Sequence, residues 1–285
     1  MFHKRIVFQE TGLRELKKDY TFVDMHIHSR YSHDSRTHVS AILHKAQKMS
    51  IGVAVTDHVR AEGSFEACKQ NKVFVIPGIE VNCLENKEIL LYFYSVNDLR
   101  DFYEKHIEKY IFIKKEGKKR ITKIFGTVMV NKTMAEIIDQ AEMYNCLKSV
   151  AHPYTFPPRR SHLFFNRRKR RNLLNKIDAI EVLNASLPTR ANRQAVKWAR
   201  KSHKAFTAGS DAHMLKEVGE STVAARADNV EDFLEAIRKR TNLVIGEEIK
   251  LSTVVKEFMK SQNYKSKIGI RKLEHFEEEV LHESL

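Results

Sequence analysis

The sequence predicts an α/β fold in which parallel strands alternate with helical crossovers, at a length that suits one large α/β barrel. Three observations lead there. Apolar runs of strand length alternate with helix-periodic stretches along the 285 residues. Hydrophobic residues make up 42% of the chain, enough for a substantial core. Six of the apolar runs end in His, Asp or Glu, as expected when strand C-termini meet on one catalytic rim.

The elements follow in order. Residues 21–24 are extended and apolar. Val39, Ile42, Leu43, Ala46 and Met49 recur at helical spacing. Short buried-type strands are predicted at 53–55, at 73–76 before Pro77-Gly78, and at 89–94. Thr133 opens a helix, with Glu136 completing a capping box and Met134, Ile137, Ile138 and Ala141 on one apolar face. Strands are expected again at 149–151, 179–183 and 205–208. Helices are expected at 190–201 and, behind an Asn229 cap, at 230–239. Residues 105–132 are lysine-rich with no clear partner strand and read as an insertion. Residues 247–285 are charged and helix-prone and read as a C-terminal extension.

Composition narrows the class. No apolar run approaches the roughly 20 residues that cross a bilayer. The N-terminus lacks the apolar core and cleavage site of a signal peptide. Cys68, Cys83 and Cys146 form no C-x-x-C pair, so neither a disulfide framework nor a zinc ribbon is indicated, and a cytoplasmic setting is expected. The formal net charge of +14 favours anionic partners such as phosphorylated metabolites or nucleic acid. A lysine-rich soluble surface accounts for that charge equally well.

The chemistry is concentrated at strand ends. The first run leads into His26 and His28, the second into Asp57 and His58, and the third into Glu80. Later runs lead into His152, Glu181, and Asp211 with His213. In His26-x-His28 and Asp211-x-His213 the paired side chains would share one face of an extended strand and reach one metal or two adjacent ones. Nitrogen and carboxylate donors together suit zinc, manganese or iron better than calcium. Several ions held together can activate water and clamp a phosphate, the chemistry of phosphoester hydrolysis. Asp211 and His58 are candidates to orient that water. Asp57 reads as a supporting residue. Glu181 has three open readings: a ligand, a support for a ligand His, or an ion-pair partner of Arg190 or Arg193. The remaining histidines, His33, His44 and His203 among them, read as surface or core residues.

The motifs D-M-H-I-H (24–28), Y-S-H-D-S (31–35), T-D-H (56–58), P-G-I-E-V (77–81), A-H-P (151–153), I-E-V-L-N (180–184) and G-S-D-A-H (209–213) occur in this order. Together they resemble the PHP superfamily, named for polymerase and histidinol phosphatase domains. The resemblance spans about 21–246. It implies a distorted seven-stranded, TIM-like β/α barrel, with residues 1–20 as a lead-in. It further implies a trinuclear metal site and phosphoesterase activity. By position it implies His26, His28, Asp34, His58, Glu80, His152, Asp211 and His213 as ligands, with Glu80 bridging two ions. One position departs: Glu88 stands where many members have a His before the L-L-x-Y-F run, and is read as a replacement carboxylate ligand.

The reading is therefore a phosphoesterase using two or three divalent ions (Zn, Mn or Fe), acting on a phosphomonoester. The alternative is a nuclease or phosphodiesterase acting on nucleic acid ends, and a third reading is a binding module with a degenerate site. Arg167, Arg168, Arg170 and Arg190 are candidate substrate contacts. The first three lie in a basic loop (157–171) after His152 whose Phe164 and Phe165 would either stack on a base or tuck into the core.

Overall fold

The computed structural model describes residues 6–7, 13–114 and 127–246. The C-terminal extension, parts of the lead-in and the middle of the basic insertion lie outside the described residues. In chain order, β1 (Ile6–Val7) and α1 (Leu13–Asp19) precede β2 (Thr21–Ile27), α2 (Val39–Met49), β3 (Gly52–Val55) and α3 (Glu62–Gln70). Next come β4 (Gly78–Cys83), β5 (Lys87–Phe93), α4 (Val96–His106), β6 (Ile111–Lys114), β7 (Thr127–Val130), α5 (Met134–Ala141) and β8 (Cys146–Val150). Short helices α6 (His162–Asn166) and α7 (Arg171–Asn175) lead to β9 (Ala179–Asn184), α8 (Thr189–Lys201), β10 (Ala205–Gly209), β11 (Ser221–Ala225), α9 (Val230–Arg238) and β12 (Leu243–Gly246).

The strands form two five-stranded sheets, β1-β12-β11-β2-β3 and β10-β9-β8-β5-β4, plus the hairpin β6-β7. No continuous hydrogen-bonded barrel closes among the described residues. Isolated parallel bridges join the two large sheets instead: Val53 with Val75 and His58 with Glu80 on one side, Ile27 with Ala212 on the other. The crossings are not all parallel either. β5 runs antiparallel to both β4 and β8, and β11 is antiparallel to β2 and β12. Only residues 84–86 separate β4 from β5, too few for a crossover helix. Asn86 takes φ 56 and its N–H donates to Cys83 O at 2.8 Å, closing the tight turn.

Two expectations are corrected. The run 73–76 is not a strand: it bridges β3 only through Val75, and β4 begins after Pro77, which has no N–H for a ladder. The segment 105–132 does contain partner strands, because β6 and β7 pair with each other. That hairpin is tied to β4 by Asn82 Nδ2 donating to Val128 O at 3.3 Å, and Leu84 N donates to Lys132 O at 2.8 Å.

The helices form as their caps and periodicity require. Thr133 Oγ1 accepts from Glu136 N at 3.3 Å while Glu136 Oε2 accepts from Thr133 N at 2.8 Å. Asn229 Oδ1 accepts from Asp232 N at 2.8 Å. Val39, Ile42, Leu43 and Ala46 of α2 pack with Ile27, Val53 and Val55 in one apolar cluster. The main core lies between the second sheet and helices α4, α5, α8 and α9, with Tyr92, Phe93, Phe102 and Phe233 fully buried.

Candidate metal centre

Both large sheets deliver polar side chains to a common point. β2 carries His26 at its end, and His28 follows directly. Their Nε2 atoms lie 3.1 Å apart. Glu80, from β4, sits among four imidazoles. Its Oε2 is 2.9 Å from His58 Nδ1, 3.3 Å from His26 Nε2 and 3.5 Å from His28 Nε2. Its Oε1 is 3.0 Å from His152 Nε2. Asp211 Oδ1 lies 3.2 Å from His28 Nε2 and 3.6 Å from His26 Nε2. Asp34 Oδ2 lies 2.9 Å from His213 Nε2 and 3.6 Å from His58 Nε2. Glu88 Oε2 is 3.4 Å from His152 Nε2. Every residue read as a ligand from the sequence is thus in one cluster.

The donor atoms form four overlapping groups within 4.8 Å: His28, Asp34, His58 and His213; His26, Glu80 and His152; His26, His28 and Asp211; and His58, Glu80 and Glu88. These groups fit divalent cations. The Nδ1 atoms of His28, His58 and His152 and Oε2 of Glu80 are buried without a hydrogen bond of acceptable geometry. His58 Nδ1 and Glu80 Oε2 are among them although only 2.9 Å apart, so they face each other without the alignment of a donor and an acceptor. Buried polar atoms are rarely left so, and metal coordination satisfies them.

The electrostatics are strongly coupled. Burial opposes a charged imidazole at His26, but Glu80, Glu181 and Asp211 outweigh it and hold its pKa well above the ordinary value. At His58 burial is again overcome, by Glu80 and Asp34, and the pKa is pushed up to about 10. Burial would raise Glu80, yet His26 and His58 hold it well below the usual carboxylate range. Asp211 is lowered in the same way, against burial, by His26, His28 and His213. His28 is lowered by burial and then by His213 and His58. Glu80 and Asp211 therefore stay ionised, and positive charge must gather around them, as protons or as metal ions.

A second layer fixes these side chains. Glu181 Oε1 accepts from His26 Nδ1 at 2.9 Å, while Oε2 accepts from His152 N at 2.8 Å and Asn184 Nδ2 at 3.1 Å. Of its three readings, the geometry matches the support of a His: Glu181 holds His26 Nδ1, and His26 Nε2 is thereby turned toward the cluster. Asp24 accepts from Ser210 N (2.9 Å), Ser210 Oγ (2.6 Å) and Gly219 N (2.8 Å), which pins the segment after β10 onto β2. Gly209 makes that approach possible, since a Cβ there would lie 2.2 Å from His26 Cβ. Asp57 faces away from the donor groups and accepts from Ser29 N and Oγ, and burial raises its pKa to about 7.

Several expectations change. Asp211-x-His213 does not share a strand face: β10 stops at Gly209 and Asp211 takes φ 55, so the pair converges from a loop. Phe164 and Phe165 are buried in the core and offer no stacking surface. Arg167 and Arg168 are exposed, and Arg170 lies over the Phe164 ring at 3.9 Å. Arg190 is exposed on α8, whereas Glu181 is buried against His26 and His152. The cation that does reach the cluster is Arg159, which the sequence did not separate from its neighbours: its Nε donates to Glu88 Oε2 at 2.8 Å and its Nη2 to Oε1. His33, read as an ordinary surface or core residue, has its ring 5.2 Å from that of His58.

Comparisons with known proteins bear on the fold. The family model described as PHP-associated matches residues 189–242. An uncharacterized protein of Methanocaldococcus jannaschii is 26% identical over 151 residues, covering 50% of this chain and 62% of that relative, so the match leaves over a third of it unspanned. An endonuclease Q in complex with a 27-mer duplex substrate carrying an abasic lesion has a TM-score of 0.61 at 20% identity, over 83% of this chain and 66% of that one. A candidate metal-dependent phosphoesterase from Bifidobacterium adolescentis has a TM-score of 0.53 at 17% identity, over 76% and 96%. At these identities the likeness is one of fold.

Proposed function

Taking this chain as a protein of the PHP superfamily, we propose that it hydrolyses phosphoesters with divalent metal ions. His26, His28, Asp34, His58, Glu80, Glu88, His152, Asp211 and His213 would hold them. The observation that carries this reading is Glu80, a buried carboxylate within 3.5 Å of nitrogens from four histidines. The two sheets are then read as a seven-stranded barrel of β2, β3, β4, β5, β8, β9 and β10, interrupted where isolated bridges replace ladders. Two or three ions of zinc, manganese or iron match the nitrogen and oxygen donors. Such ions supply a nucleophile at neutral pH and neutralise phosphate oxygens.

The protein's own groups do the rest. Glu181 orients His26. Asp211, whose side chain keeps 16% of its exposure, and His58 orient an attacking water. Arg159, whose guanidinium fork is held by Glu88, adds a positive charge at the edge of the cluster. Arg167 and Arg170, which lie close enough to Lys87 to help lower its pKa alongside burial, add positive field beside Glu88. A phosphomonoester is the first substrate reading. A nucleic acid end is the second, favoured by the net charge of +14 and by similarity to an enzyme solved with DNA. Three free cysteines fit a reducing, cytoplasmic setting, and no helix of the described residues is long and apolar enough to cross a membrane.

The test is chelation followed by add-back of zinc, manganese or iron. Turnover is read on p-nitrophenyl phosphate, its bis-ester and a 5′-labelled oligonucleotide. Turnover should vanish with the metal and return with it. Full turnover by verified metal-free protein removes the proposal.

A further inference from the structure

Beside the cluster lies a groove of about 970 Å³ whose walls differ in chemistry. One wall is a face of α8, where Arg190, Arg193 and Lys197 recur at steps of three and four residues and so point the same way. All three are exposed. The other wall is the loop after β8, which contributes Tyr154, Phe156 and Arg160. Phe156 keeps 49% of its surface exposed, one of few large apolar side chains to do so among the described residues. None of the residues lining the groove is acidic.

The groove is built rather than loose. Tyr154 stacks on His162 with ring centroids 4.0 Å apart and meets Trp198 edge-on at 6.4 Å. Arg160 Nε donates to Thr155 O at 3.0 Å. Both walls are also tied to the cluster. Thr155 N donates to His152 O at 2.9 Å. Ser186, in the turn that leads into α8, donates from Oγ to Ser210 O at 3.1 Å, and Asn184 Nδ2 donates to Asp211 Oδ2 at 3.3 Å. A ligand in the groove therefore lies against the loop that follows His152 and against the start of α8, whose preceding turn is hydrogen-bonded to the segment of Asp211.

The chemistry selects the ligand. A single phosphate needs one or two cations, but four line this groove, and those on α8 spread over roughly 10 Å of helix axis. That spread matches a run of phosphates. An exposed aromatic ring opposite a cationic stripe is the pairing that holds unstacked bases, since every base has a face to stack and every linkage a charge. We propose that this groove binds single-stranded nucleic acid, its backbone along α8 and a base on Phe156, and leads the strand to the metal centre. The last clause rests on the phosphoesterase reading; the binding itself does not.

The experiment is a fluorescence anisotropy titration of the full chain with a labelled oligodeoxythymidine, repeated across salt concentrations, with the probe checked for integrity afterwards. The combined variant Arg190→Gln, Arg193→Gln, Lys197→Gln should bind at least about tenfold more weakly. Its log–log salt slope should be shallower by about 2, the value for three lost contacts to a single strand. Phe156→Ala should weaken binding by roughly 5- to 150-fold with the slope unchanged, because stacking carries no counterions. Lys105→Gln, an exposed cation on α4 outside the groove, should leave binding as it is. All substituted groove side chains are exposed, and circular dichroism and a melting curve check that the variants fold. Wild-type binding by the triple variant overturns the proposal. So does an equal loss of binding in Lys105→Gln, which would mean that general surface charge holds the strand, and so does equally tight binding of a polyglutamate peptide. Failure of the phosphoesterase reading would look different: the metal-loaded protein would bind the oligonucleotide and turn over no phosphoester.

Discussion

Arg159 Nε donates to Glu88 Oε2 at 2.8 Å, and the same oxygen lies 3.4 Å from His152 Nε2. Glu88 thus stands between a guanidinium and the cluster, and a metal ion near it competes with Arg159 for one carboxylate. Glu88→His alone should lower bound metal per chain, because it sets an imidazole beside the guanidinium. Adding Arg159→Gln should restore it, as read by plasma emission. Glu88→Gln should lower stability in a urea titration, because it removes from a buried position, 1% exposed, the charge that faces Arg159. Unchanged metal content and turnover in Glu88→Ala would leave Glu88 as the partner of Arg159 alone.

The cluster should behave as a unit. His26→Ala, Glu80→Ala and Asp211→Asn should each reduce turnover by orders of magnitude and lower bound metal, because His26 and Glu80 each belong to two overlapping donor groups and Asp211 completes one with His26 and His28. Glu181→Gln should weaken metal binding by about 10- to 100-fold, as loss of a support to a ligand His does. His44→Ala on α2 and His203→Ala, both exposed, should change little. Equal losses at both sets would show that the site lies elsewhere.

Gly209→Ala should injure the site without touching a donor. The new methyl would fall 2.2 Å from His26 Cβ and 2.6 Å from His26 N, against buried backbone that has nowhere to move. Overpacking of this kind costs about 1–3 kcal/mol. A lowered melting temperature together with reduced metal content is expected. A variant that matches the wild type in both would mean that β10 and β2 can separate freely.

Cys68 should be a slow nucleophile. Burial raises its thiol pKa to about 11 from an ordinary 9.0. A raised pKa in a neutral acid disfavours the thiolate, so at pH 8 its thiolate fraction is about a hundredfold below that of an unshifted thiol. Iodoacetamide labelling followed by mass spectrometry should be correspondingly slow and should accelerate about tenfold per pH unit. Rapid labelling at pH 7 would show that α3 opens readily.

Much of the site was legible because strands announce where they end. A buried apolar run that stops at His26, His58 or His152 leaves few places for that side chain except the common rim. The errors have equally local causes. The run at 73–76 has strand composition, but the ladder begins only after Pro77. α3 escaped notice because its buried positions include Gly63, Ser64 and Ala67, which carry no apolar signal. Gly63 has no side chain because it backs onto Asp57, where a Cβ would meet Oδ2 at 2.1 Å. Arg159 was hidden among loop cations that differ only in where the backbone aims them. The role of Glu181 depended on a partner 155 positions away, His26, which no local pattern encodes.

His152 and Asp211 both hold left-handed backbone, at φ 22 and φ 55, in a region that suits glycine. Each forgoes on the order of 1 kcal/mol of conformational ease. Under selection for endurance alone, glycine would be welcome at both positions; under selection for chemistry, it would be purged. A library of this gene sorted first by heat resistance and then by turnover should therefore split at these two codons before any others in the cluster.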